Sequence, residues 1–224
     1  MNTQVVVITN QKGGCGKTTI AMQIAGALGR EGKKVLVVDA DPQQTALRWA
    51  AAAEDDKPFP AKIIGMAAVG GKIHREIMKF EGEYDIIVID CPPNKDSLVP
   101  KSALLIARIA YIPVIPATVD LWAANGIQEL IEEVKITNPA LQAYILPNMC
   151  SNTNLAKGTI ELLKKLNIKT TQTTLRLRTA YRESPLIGGT VFDLKGEGAE
   201  KAQTEVKALN NELLKILSQP IDVE

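Results

Sequence analysis

The sequence predicts an α/β fold, in which a three-layer, doubly wound and mostly parallel sheet is flanked by helices. Three observations predict this fold class. Short apolar runs rich in Val and Ile alternate with stretches of helical periodicity along most of the chain. These runs lack the polar alternation of half-exposed strands, so they are expected to be buried on both faces. A glycine-rich segment follows the first run directly, at the carboxyl end where such sheets bind ligands.

Strands are predicted where apolar or β-branched residues follow one another without a break. They cover residues 5–9, 35–38, 86–89, 111–115, 141–149 and 170–175. Pro113 has no amide hydrogen to donate and is expected to interrupt the fourth of these strands. The whole sheet is expected to contain about seven or eight strands.

Helices are predicted between the strands from apolar residues at helical spacing, as at Ile20, Ile24 and Leu28. They cover residues 17–30, 45–53, 72–80, 97–107, 123–136 and 155–166. A last helix carries Val206, Leu209, Leu213 and Leu217 on one face. Because no repeat or linker separates these elements, residues 1–224 are expected to form one domain, without a preceding helix-turn-helix domain.

The composition is that of a globular protein. Of the 224 residues, 46% are hydrophobic and 23% charged, which excludes disordered, collagen-like and disulfide-scaffold classes. The apolar runs are shorter than the ~18 residues that cross a bilayer. The N-terminus shows no leader features, and the three cysteines are scattered, so a reducing cytoplasm is the expected location. An aromatic content of 4% argues against stacking platforms for single-stranded nucleic acid.

The formal net charge of +1 hides a basic block between residues 157 and 182. This block contains seven basic residues and one acid, Glu161. Such a cluster is typical of a surface that binds polyanions, or of a solvated helix face. Composition alone leaves both interpretations open.

Residues 11–19, with the sequence Q-K-G-G-C-G-K-T-T, join the first predicted strand to the first predicted helix. Their glycines allow backbone N–H groups to approach an anion, and the helix N-terminus adds partial positive charge. Lys17 can reach the β- and γ-phosphates of a nucleotide, and the Thr18 hydroxyl can bind Mg²⁺. Gln11 stands where the general phosphate-loop pattern has its first glycine, and Lys12 is an additional lysine. A glycine-rich turn without a ligand is the alternative.

The segment from Lys12 to Thr19 resembles the deviant Walker A motif of the ParA/MinD ATPases, and the chain looks closest to the short single-domain ParA (ParF-like) plasmid partition ATPases. The resemblance implies that ATP and Mg²⁺ are held by Gly13, Gly14, Cys15, Gly16, Lys17, Thr18 and Thr19. It also implies a homodimer with ATP sandwiched between the subunits, where Lys12 reaches the partner subunit's nucleotide. A cation arriving in trans neutralises developing charge as an arginine finger does, so intrinsic turnover is expected to be slow.

Acidic residues follow two of the predicted strands. Asp39 and Asp41 stand in D-A-D-P-Q, which resembles a signature of the same family. The resemblance implies that Asp41 orients the attacking water, while Asp39 supports the loop or the Mg²⁺ shell. Capping of the next helix is the alternative for this pair. Asp90 ends an apolar strand and looks like a Walker B acid, which implies that it holds the Mg²⁺ water shell.

Other single residues carry weaker signals. Cys91 beside Asp90 could be a cluster ligand, as in nitrogenase iron-protein relatives, but without C-x-x-C both Cys15 and Cys91 are interpreted as small apolar residues at tight turns. Asn148 lies where the family commonly offers an asparagine to adenine, with a turn-forming role as the alternative. His74, the single histidine, is expected on a helix surface, without a role in acid–base catalysis.

The basic block predicts non-specific DNA binding, because partition-type ATPases use basic residues late in the chain. The candidate residues are Arg176, Arg178, Arg182, Lys164 and Lys165. Arg176 and Arg178 are spaced by two on a predicted strand, so they are expected to share a face and contact adjacent phosphates. The resemblance implies plasmid or chromosome partition over the nucleoid, with hydrolysis stimulated by a ParB-type centromere-binding partner.

Three alternatives remain open. A ParA-like ATPase could position a protein cargo, such as a chemoreceptor cluster or a microcompartment, by the same DNA-based cycle. A MinD-like ATPase would cycle on membranes through its last helix, but the acidic residues Asp222 and Glu224 suit a helix packed on its own domain better than anionic lipid. A metabolic or electron-transfer enzyme sharing the loop would show Fe–S absorbance or a small-molecule acceptor.

Overall fold

The computed structural model describes residues 3–94, 96–116 and 120–220, with the side chains of residues 120–125 left out of the description. The strands are Gln4–Ile8 (β1), Val35–Asp39 (β2), Lys62–Gly65 (β3), Ile86–Asp90 (β4), Ile109–Val114 (β5), Gln142–Pro147 (β6) and Lys169–Thr170 (β7). The helices are Lys17–Arg30 (α1), Thr45–Ala51 (α2), Ile73–Ile77 (α3), Val99–Leu104 (α4), Asp120–Thr137 (α5), Asn154–Leu163 (α6), Ala180–Glu183 (α7) and Glu197–Leu217 (α8). Asp222 and Glu224 lie outside the described residues.

Within these residues, one seven-stranded sheet has the strand order β3-β2-β4-β1-β5-β6-β7, and each adjacent pair is parallel. The predicted doubly wound α/β class is therefore confirmed. Strand order reverses around β1, so the loop after β1 opens at the switch point where such sheets bind ligands. The register pairs Asp90 with Ile8 on one side and with Asp39 on the other, which brings three strand ends level.

Alternate residues of the central strand enter the two layers of the core. Val5 and Val7 of β1 pack in the layer that contains residues of α3, α4 and α5, whereas Val6 and Ile8 pack in the layer that contains α1 and α8. Such two-sided burial explains the unbroken apolar runs of the sequence.

The last helix packs on its own domain, as its apolar face predicts. Leu209 and Leu213 are buried in the layer shared with α1, and Val206 belongs to an adjoining cluster. Among the described helices, none combines the length and the apolar character needed to cross a bilayer.

The sequence predictions differ from the structure at several elements. β3 was not predicted, because its Lys62 and Gly65 are exposed and only Ile63 and Ile64 carry the strand pattern at this sheet edge. The helix predicted over residues 72–80 is α3 with a 3₁₀ turn on either side, and the one over 97–107 is shortened to α4. Pro113 lies inside β5 opposite Leu146, so the expected interruption is wrong.

The strand predicted over residues 170–175 is also wrong, since β7 ends at Thr170. Beyond it the backbone N–H groups of Gln172 and Thr173 donate to the carboxylate of Glu212 on α8, at 2.9 and 3.1 Å. For these two residues a side chain is the acceptor, whereas Thr171 and Leu175 on either side donate to Ile145 and Pro147 of β6. The expectation that Arg176 and Arg178 share a strand face is wrong, because β7 ends before them and Arg176 forms an isolated bridge with Cys150.

Candidate nucleotide-binding site

In the loop between β1 and α1, one position can be occupied only by glycine. Gly14 and Gly16 have φ values of 72° and 89°, in the left-handed region. A Cβ atom at Gly16 would also lie 2.3 Å from Nδ2 of Asn148. Gly16 precedes the first helical residue, Lys17, and among the described residues no side chain caps α1 there. The first N–H groups of α1 have no acceptor within the helix, so they are available to an anion.

Asn148 fastens this loop to the sheet. It follows β6, is 5% exposed, and donates from Nδ2 to the carbonyl oxygen of Cys15 at 2.8 Å. Met149, the next residue, has a left-handed φ of 51°. Asn148 therefore positions the loop directly, and the adenine contact expected of it stays a prediction.

Asn10 supports the loop from the other side, and the sequence reasoning missed it. Its Nδ2 donates to the carbonyl of Pro113 at 2.6 Å, and its Oδ1 accepts from the backbone N–H of Lys12 at 3.0 Å. Asn10 thus ties the backbone of Lys12 to the end of β5. The signal was present in the sequence as a polar residue directly after a buried strand.

Lys17 is a buried cation inside the loop. It is 6% exposed, and its ammonium donates to the carbonyl oxygen of Lys12 at 2.8 Å. A neutral carbonyl compensates a buried positive charge incompletely, so an anion bound in the loop would stabilise this arrangement. The expected contact of Lys17 with the phosphates stays a prediction.

Thr18 and Asp90 form a close pair at the end of β4. The Thr18 hydroxyl donates to Oδ2 of Asp90 at 2.6 Å, while Oδ1 of this buried carboxylate has no hydrogen-bond partner among the described residues. The pKa of Asp90 is raised to about 7, mainly because the carboxylate is buried and also because Asp39 is negatively charged. The hydrogen bond from Thr18 and the positive charge of Lys17 act in the opposite direction and lower the pKa. A hydroxyl and an unsatisfied carboxylate oxygen are the hard oxygen donors that suit hydrated Mg²⁺.

Asp39 and Asp41 shape the loop after β2. Asp39 is fully buried, and its two oxygens accept from the backbone N–H groups of Asp41 and Leu47 at 3.2 and 3.1 Å. These contacts support the loop-stabilising interpretation of Asp39. Asp41 is half-buried, and its Oδ1 accepts from the N–H of Gln43 at 2.9 Å. Gln44 completes the turn with a left-handed φ of 52° before α2 begins.

A narrow cavity lies beside the loop, between α1 and the segment of residues 175–182. It is lined by Thr19, Ile20, Gln23, Asn148, Met149, Leu175, Arg176, Leu177, Arg178, Tyr181 and Arg182. The structure thus brings the three predicted DNA-binding arginines next to Thr19 and Asn148, although the sequence placed them in a separate functional region. We call this space the lateral cavity.

The basic candidates differ in their surroundings. Arg178 is bound by Glu205 through Nε and Nη2, at 2.9 and 2.6 Å, whereas Arg182 is exposed. Lys164, just after α6, pairs with Glu161 at 2.7 Å, and its neighbour Lys165 is exposed. Neither lysine lines the lateral cavity. Exposed Arg182 and Lys165 are therefore better placed for a large polyanion than Arg178 is.

The two cysteines and the histidine considered in the sequence analysis are packed against other residues of the fold. Cys15 and Cys91 are both buried with free thiols, and no cluster of three or more His, Cys, Asp or Glu side chains suited to a metal ion occurs in the described part of the chain. Burial raises the pKa of the Cys15 thiol. His74 lies on α3 and is half-buried, and its Nδ1 lies 2.7 Å from the hydroxyl of Ser102.

Three comparisons place this chain among known proteins. The family model of the CobQ/CobB/MinD/ParA nucleotide binding domain matches residues 6–191. Maintenance of carboxysome distribution protein A of Halothiobacillus neapolitanus is 30% identical, over 93% of this chain and 95% of that protein. Sporulation initiation inhibitor protein Soj of Bacillus subtilis is 26% identical, over 88% and 94%. The septum site-determining protein MinD of Pyrococcus horikoshii, solved with Mg-ADP, has the same fold, with a TM-score of 0.74 at 21% identity over 96% and 98% of the two chains.

Fold, loop and family model together define a phosphate-loop nucleotide-binding protein. The chain belongs to the CobQ/CobB/MinD/ParA nucleotide-binding domain family. Within that family it is a deviant Walker A ATPase of the ParA/MinD type, with Lys12 as the additional lysine, so the predicted class is confirmed. The expected pair of ATP and Mg²⁺ agrees with this class and with the oxygen donors of Thr18 and Asp90.

Proposed function

We propose that this protein is a dimerising Mg-ATP-dependent switch that binds DNA non-specifically and positions a cargo along it. One observation supports the ATPase site above all: buried Lys17, Thr18 and Asp90 lie together at the phosphate loop. Mg²⁺, when bound, would offset the negative charge of the β- and γ-phosphates. In this site Thr18 and Asp90 would hold the ion and its waters, Lys17 would bind phosphate oxygens, and Asp41 would orient the attacking water.

Dimerisation completes the site through Lys12. The carbonyl oxygen of Lys12 binds the Lys17 ammonium, and its N–H is held by Asn10, so the backbone of Lys12 is fixed by groups around the loop. In the proposed sandwich dimer its side chain serves the partner subunit's nucleotide, where a cation neutralises transferring charge. Hydrolysis then depends on association of two subunits.

DNA binding follows from the exposed part of the basic block, with Arg182 and Lys165 as its leading contacts. Two copies in a dimer double the number of phosphate contacts, which strengthens binding and steepens its salt dependence. A ParB-type adaptor would stimulate hydrolysis and release the DNA.

The cargo has two candidates. Plasmid or chromosome partition is supported by the likeness to Soj and to the chromosome partitioning protein ParA of Myxococcus xanthus. Positioning of a protein compartment is supported by the likeness to two carboxysome distribution proteins, each matching more than nine-tenths of this chain. The two functions share one ATPase and DNA cycle, so the DNA-based cycle is proposed for either cargo.

The first experiment measures binding to random-sequence duplex DNA with ATP, ADP or no nucleotide, across a salt series. ATP-specific binding that weakens steeply with salt is expected. A protein that binds ATP and shows no DNA binding at low salt would contradict the positioning function. A second experiment separates the two cargoes: hydrolysis stimulated by a centromere-binding protein supports partition, and hydrolysis stimulated by a compartment-binding protein supports compartment positioning.

A further inference from the structure

Glu205, in the middle of α8, makes four hydrogen bonds to one short segment. Its side chain is 14% exposed, and Oε1 accepts from Nε and Nη2 of Arg178 at 2.9 and 2.6 Å. Oε2 accepts from the backbone N–H of Arg176 at 3.2 Å and from the hydroxyl of Tyr181 at 2.9 Å. One carboxylate therefore holds three residues of the segment 176–181, both by backbone and by side chain.

That segment forms the outer wall of the lateral cavity. The opposite wall is the first turns of α1, with Thr19, Ile20 and Gln23, and Asn148 lies beside them. On its inner side, the segment is tied to the chain after β6, since Cys150 donates to the carbonyl of Leu175 at 2.9 Å and Leu177 donates to that of Cys150 at 3.2 Å. On its outer side, Glu205 supplies the hydrogen bonds from α8.

The chemistry of this contact makes it hard to replace. Hydrogen bonds to a charged partner are about twice as strong as neutral ones, and the Arg178 pair is charged on both sides. Removal of the carboxylate takes the acceptor from the half-buried guanidinium of Arg178, and it leaves the Tyr181 hydroxyl with a longer contact of 3.4 Å to the carbonyl of Ala202. Leaving such groups unsatisfied is costly, so the segment would rearrange towards solvent.

We propose that Glu205 is a positioning residue for the base of the bound nucleotide, which rests on the proposed ATPase function. In the proposed site the phosphates occupy the loop before α1. Thr19, which follows that loop, and Asn148, which binds it, both line the lateral cavity, so the base and ribose of the nucleotide are placed there. Glu205 sets the distance of the outer wall from Asn148 and thereby the width of the slot that receives the base. It contacts no nucleotide atom itself, and it controls base affinity and base preference through the wall.

The test distinguishes binding of the base from binding of the phosphates. Dissociation constants of ADP, GDP and inorganic pyrophosphate, each with Mg²⁺, are measured for the wild type, Glu205→Ala and Glu205→Gln. Glu200→Gln is the matched control, because Glu200 is an exposed glutamate on the same helix. In Glu205→Ala, ADP is expected to bind about tenfold more weakly, a change of about 1.4 kcal/mol. The preference for ADP over GDP is expected to fall, and pyrophosphate is expected to bind as in the wild type.

Glu205→Gln retains the shape and one acceptor oxygen, so it is expected to lie between the wild type and Glu205→Ala. If Glu205→Ala does not fold, the Glu205→Gln result decides. Unchanged ADP affinity and unchanged base preference in a folded variant would overturn the inference, as would an equal loss of ADP and pyrophosphate binding. A wild type that binds neither ADP nor pyrophosphate would instead overturn the proposed ATPase function, so the two failures are distinguishable.

Discussion

The hydroxyl of Thr18 donates a 2.6 Å hydrogen bond to Oδ2 of Asp90, a residue 72 positions later in the chain. The contact joins the start of α1 to the end of β4, and it leaves Oδ1 of Asp90 without a partner in the described part of the molecule. The parallel register of β1 and β4 produces it, because Ile8 and Asp90 are aligned at the edge from which the phosphate loop departs.

Asp90→Asn is expected to abolish Mg²⁺-dependent ATP hydrolysis. The amide can still accept the Thr18 hydrogen bond, but it removes the negative charge that holds the hydrated ion. The rate is expected to fall by about 10²–10³-fold, the scale for loss of one electrostatic group in an active site. Turnover at saturating ATP measures it, with the exposed Glu83→Gln as control. A variant with more than half of the wild-type rate would show that Asp90 does not serve the ion.

Lys12→Ala is expected to bind ADP nearly as the wild type does, because Lys17 is buried in the loop and remains. Adaptor-stimulated hydrolysis is expected to fall by about 10³-fold or more, as for removal of an arginine finger. ATP-dependent dimerisation, measured by light scattering, is expected to weaken. Lys33→Ala, an exposed lysine after α1, is the control. Normal stimulated turnover in Lys12→Ala would exclude a role in trans.

Asp41→Ala is expected to separate ATP binding from ATP hydrolysis. The carboxylate of Asp41 accepts from Gln43 and is otherwise near solvent, so its loss leaves the buried loop contacts of Asp39 in place. The variant should accumulate as an ATP-bound dimer with little turnover, because the attacking water is no longer oriented. Size-exclusion chromatography with ATP and a phosphate-release assay measure both properties. A variant that hydrolyses ATP at the wild-type rate would show that another group orients the attacking water.

The arginines are expected to contribute unequally to DNA binding. Arg178 is bound to Glu205, whereas Arg182 is exposed, so Arg182→Ala should weaken binding more than Arg178→Ala does. For Arg182→Ala the salt dependence should also become shallower, by about one phosphate contact in each subunit. Duplex DNA binding with ATP across a salt series measures both variants. A larger loss in Arg178→Ala would mean that DNA displaces Glu205.

Asp193 is expected to stabilise the fold in a pH-dependent manner. Burial raises its pKa, but hydrogen bonds from Lys57, Thr190 and Arg30 outweigh that effect and lower the pKa to about 2. Because the folded pKa lies below the unfolded value, the stabilisation is complete above about pH 4 and is lost as pH falls through about 2. Asp193→Asn should cost about 2 kcal/mol at pH 7.

Urea unfolding between pH 2 and 7 measures the effect, with exposed Asp55→Asn as control. The stability difference between the wild type and Asp193→Asn should shrink continuously below pH 4. A difference that stays constant down to pH 2 would mean that the ion pairs with Arg30 and Lys57 contribute nothing.

Most of the central sheet was predictable, because its strands are buried on both faces and read as uninterrupted apolar runs. β1, β2 and β4 were predicted to within one residue at each end. The edge strand β3 was missed because exposed edge residues weaken the pattern. Within the strand expected up to Leu175, the N–H groups of Gln172 and Thr173 donate to Glu212, 39 positions after Thr173, and this contact could not be read from the local pattern.

The sequence by itself determined the fold class and the phosphate loop, since glycines, lysine and threonine at the end of a buried strand act through local backbone chemistry. It also identified Asp90 as an acid at a strand end. Only the tertiary structure decided that Asn10 and Asn148 hold the loop, and that Glu205 holds the arginine segment. The contacts of Asn10 with Pro113, of Asn148 with Cys15 and of Glu205 with Arg178 join residues 103, 133 and 27 positions apart, so they depend on how β5, β6 and α8 pack. The charges of the sequence identified the basic block, and the structure shows that Glu205 of α8 binds Arg178 while Arg182 is exposed.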